Sequence, residues 1–238
     1  MNSTRRFEMR RGLTSLVVVA ACFAAAGYSS AQSILWDQQP DFTLTTTIDL
    51  DIPSPGDSFS TYQVNDATFG SAVNITAITT FYTNNTGTWE NLINTGVLNI
   101  FDGDGLVASD DPTSGGDFGP GSVSVTSTDL GSNVIAVTAF VDINLAAGTY
   151  WFGLTPSLPS ASDPQQFRYD DGQIVGAASQ ARNPAGGFGL GTAWFNGDTL
   201  APGFSDATFT ILGEEIPEPT TAGLLTLGLV RLVARRRR

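Results

Sequence analysis

An all-β fold, a two-sheet antiparallel sandwich of jelly-roll type, is the class this sequence predicts, and three observations predict it. Runs rich in Thr, Val, Ile and Phe alternate apolar and polar residues with period two. Clusters of Gly, Asp, Asn and Pro separate these runs. No stretch between the two ends of the chain carries a helical apolar period.

The runs, in order, are Phe42 to Leu50, Ser58 to Val64, Val73 to Tyr82, Val97 to Phe101, Ser122 to Ser127, Asn133 to Ile143, Thr149 to Thr155, Gln166 to Tyr169, Thr192 to Phe195 and Ala207 to Leu212. About ten short strands at this spacing suit a two-layer β architecture. In the third run Val73, Ile75, Ala77 and Phe81 fall on one face. In the sixth, Ile135, Val137, Ala139, Val141 and Ile143 share one face, and Val134, Ala136, Thr138, Phe140 and Asp142 the other, which predicts a central strand covered on both sides. Asn85-Thr86-Gly87, Asp102-Gly103, Asp104-Gly105, Ala147-Gly148 and Asp171-Gly172 supply residues that tolerate positive φ between strands, and long loops are expected over Ser109 to Pro120 and Pro156 to Pro164.

Both ends read differently. Arg5, Arg6, Arg10 and Arg11 precede an apolar stretch from Leu13 to Ala26, and small residues at Ser29 and Ala31 follow. This is the pattern of a secretory signal peptide over 1–31, cleaved by signal peptidase between Ala31 and Gln32 after delivery by the export machinery. Two other readings of the segment are a lipoprotein signal ending on Cys22 and a twin-arginine signal, which Phe7-Glu8-Met9 continues poorly. With 1–31 removed, the single cysteine goes too, so no disulfide and no thiolate remain.

Histidine and lysine are absent from the whole chain. Of the 23 acidic residues only Glu8 and Glu218 lie outside 32–216, and of the 11 basic residues only Arg168 and Arg182 lie inside, so this segment carries roughly −19. Such a surface repels phosphate backbones and anionic lipid heads, which excludes nucleic-acid binding. Without His, Cys or Lys, imidazole bases, thiolates, Schiff bases and ordinary zinc sites are excluded as well. Carboxylate chemistry survives, so a glycosidase is kept as a minor alternative; a protein without enzymatic activity is expected.

Two clusters are candidate binding sites. Asp102, Asp104, Asp110 and Asp111 form the densest acidic group; their spacing is not that of an EF-hand, and the segment reads either as a hairpin turn or as a loose Ca²⁺ loop. Trp89, Trp151 and Trp194 could stack on sugar rings, the alternative being burial in the core; adjacent Tyr150 and Trp151 must point to opposite faces.

The C-terminal segment, 214–238, holds Pro217-Glu218-Pro219, an uncharged apolar run from Thr220 to Val230, and Arg235 to Arg238. As a helix this run covers roughly half of a 30 Å hydrocarbon core. It predicts a short transmembrane helix that holds only temporarily, its arginines kept on the cytoplasmic side. These residues resemble the PEP-CTERM sorting signal, with Arg231 departing from the usual apolar run. The resemblance implies recognition by an exosortase-type transpeptidase that cuts near Pro217, Glu218 and Pro219, and release to the cell surface or extracellular matrix, with extracellular polysaccharide as a partner. A permanently tail-anchored protein is the alternative. Leu35-Trp36-Asp37-Gln38, Leu145 to Trp151 and Phe209 to Gly213 are similar to segments of secreted β-sandwich proteins that carry this signal. The expectation is therefore an acidic β-sandwich domain over 32–213, exported and sorted; a carbohydrate-binding module, with or without calcium, is the alternative function.

Overall fold

A computed structural model gives the fold, and it describes residues 33–40, 46–52, 58–83, 93–131, 134–158, 167–170 and 174–216. The chain divides into two compact units, Met1–Ala31 and Gln32–Arg238. The first unit and the residues after Ile216 lie outside the described residues, and with them the predicted signal peptide, its cleavage site, the Pro-Glu-Pro motif and the apolar tail.

β-Branched and aromatic residues, favoured on a pleated half-buried surface, build an all-β unit with twelve strands among the described residues: β1 (Ser33–Gln38), β2 (Thr46–Ile48), β3 (Tyr62–Phe69), β4 (Val73–Thr83), β5 (Thr95–Asp102), β6 (Gly121–Gly131), β7 (Val134–Leu145), β8 (Gly148–Pro156), β9 (Phe167–Tyr169), β10 (Gln180–Arg182), β11 (Phe195–Asn196) and β12 (Phe209–Glu215). One helical turn, α1 (Gly197–Leu200), is capped by the Asn196 side chain, which accepts from the Asp198 N–H. The strands form one antiparallel sheet in the order β1-β12-β4-β7-β6-β5-β8-β3-β10-β11, with β9 pairing both β2 and β4. The first and the last of the long strands, β1 and β12, therefore lie side by side.

Strand β6 serves two partners. Its residues Gly121 to Ser124 pair with β5, and Val125 to Gly131 pair with β7. Side chains from strands that share no hydrogen-bond ladder nevertheless meet in one core. Ile75, Ile78 and Tyr82 of β4, Val137 of β7 and Phe209 and Ile211 of β12 pack with Leu98 and Ile100 of β5 and Phe152 and Leu154 of β8. The Phe152 and Phe209 rings stack at 6.1 Å between centroids, and the Tyr82 hydroxyl donates to the Leu154 carbonyl at 2.9 Å.

The alternation of β4 changes phase in mid-strand, which corrects the expected face of Val73, Ile75, Ala77 and Phe81. Val73 and Ile75 enter the main core, but beyond them Ile78 and Tyr82 do so, while Phe81 joins a second cluster with Val134, Ala136 and Tyr169. The cause is a run of register shifts across neighbouring strands, between Ile34 and Trp36 on β1, Leu212 and Gly213 on β12, and Ile75 and Ala77 on β4. At each shift the two paired strands advance by unequal numbers of residues, the extra one lying on β1, on β4 and on β7 respectively, and side chains beyond an extra residue change face. Strand β7 is central, between β4 and β6. Only its first half is covered on both faces: Phe140 is 70% exposed.

Strands β1, β3 and β10 are among the elements that differ from the sequence expectation. β3 begins at Tyr62 rather than Ser58 and runs on to Phe69. β1 and β10 were not expected: β1 lies at the sheet edge, where an alternating pattern is not required, and β10 is three residues long. The Ser109 to Pro120 loop is pinned along β5, with the Ile100 N–H donating to the Gly115 carbonyl at 2.9 Å and the Phe118 N–H to the Ile100 carbonyl at 3.0 Å. Gly115 and Gly116 take positive φ there, a conformation glycine adopts without a Cβ penalty.

Candidate functional site

Burial of charge marks the polar centre of this unit. Arg168 sits on β9 between Phe167 and Tyr169 and is fully buried with Asp49. Its Nη1 donates to Asp49 Oδ2 at 3.1 Å and to the Gln63 carbonyl at 3.2 Å. Nε and Nη2 both donate to the Thr208 carbonyl, at 3.2 and 2.9 Å. Asp49 also accepts from the Tyr82 hydroxyl at 2.8 Å, the Thr155 hydroxyl at 2.7 Å and the Gln63 N–H at 3.3 Å. Burial holds the Asp49 carboxyl above its ordinary range, against the pull of the Arg168 charge and these donors. The same burial, reinforced by the Asp49 charge, pushes the Tyr82 phenol well up, so it remains a donor.

Further carboxylates are buried without an arginine. Asp51 accepts from the Tyr62 hydroxyl and from Ser157 Oγ at 2.6 Å. Asp170 accepts from the Ser205 N–H and hydroxyl and from the Asp206 N–H, all at 2.9 to 3.0 Å. Asp206 accepts from Gln38 Nε2 at 2.9 Å and from the Val175 N–H at 3.0 Å. Gln38 in turn accepts from Trp36 Nε1 and Asn65 Nδ2. Asp66 accepts from the Ala177 N–H at 2.8 Å, and burial raises its carboxyl above the ordinary range. These groups tie β1, β3, β9 and the 174–208 segment together, and their donors are hydroxyls, amides and backbone N–H groups. Satisfied in this way, buried polar atoms fix one arrangement of the chain.

The acidic candidates lie on the loop after β5. Asp102 and Asp104 are exposed. Asp110 Oδ2 accepts from the Val107 N–H at 2.7 Å, and Asp111 Oδ1 accepts from the N–H and hydroxyl of Thr113. These two carboxylates serve as local turn acceptors. Among the described residues no group of three or more acidic side chains gathers as a metal site. The four aspartates are thus neighbours in sequence that the structure does not converge on one point.

The tryptophans separate as well. Trp151 is 7% exposed and packs with Val64 and Phe101, on the opposite side of β8 from Tyr150, which lies in the main core. Trp194 is half-buried and meets Phe101 edge-on at 5.6 Å. Arg182 lies 5.9 Å over its ring. Both Arg182 Nη1 and Trp194 Nε1 donate to the Asp110 carbonyl, so Trp194 anchors the acidic loop. Trp89 lies outside the described residues. A stacking platform that includes Trp151 is removed by the burial of that ring.

Surface hollows are present among the described residues. One, of about 290 Å³, is lined by Ser33, Leu35, Phe69, Val73 and Glu215 among others; the second, of about 340 Å³, is lined by Ile174, Asn196, Asp198 and Phe204 among others. Each holds one carboxylate, whereas glycoside hydrolysis by the usual route needs two facing one bond.

Neither a protein-family model, nor a curated protein, nor a solved structure matches this chain. Sequence reasoning missed the Asp49–Arg168 centre. Its signal was a lone arginine between two aromatics in a short strand of a segment with only one other cation.

Proposed function

We propose that this chain is an exported cell-surface or extracellular-matrix protein without enzymatic activity, delivered through its N-terminal signal and sorted through its C-terminal segment. One observation carries the reading: Pro217-Glu218-Pro219, a short uncharged apolar run and a terminal arginine cluster stand in that order after a strongly acidic β-rich unit. The apolar run is too brief for a lasting span, and the arginines set its orientation. An exosortase-type transpeptidase is the partner that this arrangement calls for, with signal peptidase acting between Ala31 and Gln32.

We further infer that the single ladder of strands folds over as a two-layer sandwich, β1-β12-β4-β7 facing β5-β8-β3, with β6 passing between layers. Support comes from the Phe152–Phe209 stack and the Tyr82 to Leu154 hydrogen bond, both between strands that are not ladder neighbours. Buried carboxylates engaged by hydroxyl and amide donors are consistent with a structural role, as is the absence of histidine, lysine and, after processing, cysteine.

Mass spectrometry of the native producer's surface and matrix fractions tests this function. The expected chains begin at Gln32 and lack Arg235 to Arg238. Chains in those fractions with intact C-terminal arginines, or a protein found only in the inner membrane, would overturn it.

A further inference from the structure

On the side of β1, β12, β4 and β7 that faces away from the core, one apolar row runs across the strands. Ile34 of β1 pairs with Leu212 of β12, Leu212 with Ala77 of β4, and Ala77 with Phe140 of β7. All four lie on the outer face, because their chain neighbours Leu35, Ile211, Ile78 and Ala139 pack into the main core. Phe140 is 70% and Ile34 60% exposed, Leu212 is half-buried and Ala77 buried. With neighbouring strands about 4.8 Å apart, the row is roughly 14 Å long.

Polar side chains border the row on both sides. On one side, Thr79 and Thr138 share a hydroxyl hydrogen bond at 2.9 Å. Beside them Thr210 Oγ1 donates to Asp37 Oδ1 at 2.8 Å and accepts from Gln39 Nε2 at 3.2 Å. On the other side, Asn74 Nδ2 donates to Asp142 Oδ1 at 2.6 Å and to Asn144 Oδ1 at 3.1 Å. Two acceptors, Asn74 Oδ1 and Asp142 Oδ2, and one donor, Asn144 Nδ2, then have no partner among the described residues. An exposed ring in an apolar strip, with donors and acceptors mixed along its edge, matches the chemistry of a sugar chain. A pyranose offers a face of C–H groups that stacks on an aromatic ring, and hydroxyls around its rim that both donate and accept.

From this arrangement we propose that the face binds an extended, neutral polysaccharide laid across the strands, with Phe140 stacking on one sugar ring and Asn74, Asp142 and Asn144 holding its hydroxyls. A straight chain of flat rings, as in cellulose or chitin, fits a straight row on a sheet. A polyanion does not, because Asp37, Asp142 and Glu214 flank the row within a segment of about −19 and repel uronate groups. A second copy of this chain does not fit either. A stable interface buries about 800 Å² on each partner, more than a row with two well-exposed apolar side chains supplies, and two such faces would bring like charges together. The site shares no residue with the three tryptophans or with the chain's two terminal signals. Its failure therefore leaves the reading of export and sorting standing, and that reading has its own test in the termini of the surface fraction.

Co-sedimentation of the purified full-length protein with amorphous cellulose and with chitin, and affinity electrophoresis through polygalacturonate, test the proposal. The parent is expected to bind a neutral polymer and to pass unretarded through polygalacturonate. Phe140→Ala should weaken that binding about tenfold, Asn144→Ala about fivefold, and Phe140→Tyr should retain it. Val107→Ala, which trims an exposed apolar side chain on the loop after β5, is the control and should bind as the parent does. Because Phe140 stands mostly in solvent, the thermal midpoint of Phe140→Ala should match that of the parent. No binding to either neutral polymer, retardation by polygalacturonate, undiminished binding by Phe140→Ala or Asn144→Ala, or an equal loss in Val107→Ala overturns the proposal. So do parent dimers in sedimentation that Phe140→Ala dissociates, since the row would then be an interface between copies.

Discussion

Arg168 and Asp49 form a fully buried ion pair: the guanidinium Nη1 lies 3.1 Å from Asp49 Oδ2, and neither side chain has any exposed surface. Removing one partner leaves the other charge buried and alone. Arg168→Met is therefore expected to cost about 3–5 kcal/mol, and a paired Arg168→Met with Asp49→Leu substitution much less. Urea unfolding of the single and double variants measures both; a double variant as damaged as the single would show that the pair is not coupled.

The tyrosines of this centre give an alkaline signature. Burial, then the Asp51 charge and hydrogen bond, pushes the Tyr62 phenol up, and Tyr82 is raised likewise beside Asp49. A phenol raised in the folded state contributes stability that is fully present below its ordinary value of 10.0 and is lost as pH climbs toward the raised value. Absorbance titration should show these two rings ionising only as the protein unfolds. Tyr82→Phe, which removes the bonds to Asp49 and the Leu154 carbonyl, should cost about 1–3 kcal/mol.

Asp66 sets the opposite dependence from that of a salt-bridged acid. Burial is the main cause of its raised carboxyl, opposed by the Ala177 N–H. Because the folded chain holds this proton more tightly than the unfolded one, the contribution is present below the ordinary value of 3.8 and falls away as pH rises through the raised value. Asp66→Asn keeps an acceptor for Ala177 and carries no charge. It should be more stable than the parent at neutral pH, with the gap closing in acid; urea midpoints across pH would reveal a constant gap if this is wrong.

Gly153 lies where β8 passes close to β3. A Cβ there would sit 2.4 Å from the Gln63 carbonyl oxygen and 2.8 Å from Val64 Cγ1. Gly153→Ala must push the strands apart and should lower stability by about 1–3 kcal/mol, read as a drop in thermal midpoint.

Arg182 lies over Trp194, and both donate to the Asp110 carbonyl. Arg182→Ala should free the loop and cost on the order of 1 kcal/mol. Proteolysis within 103–120 is the readout, with faster cleavage expected.

The alternation of β6 and of the first half of β7, the turns at Asp102-Gly103 and Ala147-Gly148, and the opposed faces of Tyr150 and Trp151 were all legible in the chain, because a strand's period of two depends on local geometry alone. So was the charge balance, since counting residues needs no fold. Tertiary structure decided the remainder. The bulges that flip β4 after Ile75 arise from how neighbouring strands pair, and no residue type in β4 announces them. Asp102, Asp104, Asp110 and Asp111 are close in sequence yet do not converge: Asp102 and Asp104 are exposed, while on the loop pinned along β5 Asp110 accepts from the Val107 N–H and Asp111 from the Thr113 N–H. Asp49 and Arg168, more than a hundred positions apart, meet because β9 is laid beside β2 and β4. Asp37, Gln39 and Thr210 meet because the first long strand pairs with the last. Which polar groups face one another is a property of strand order, which a linear pattern does not encode.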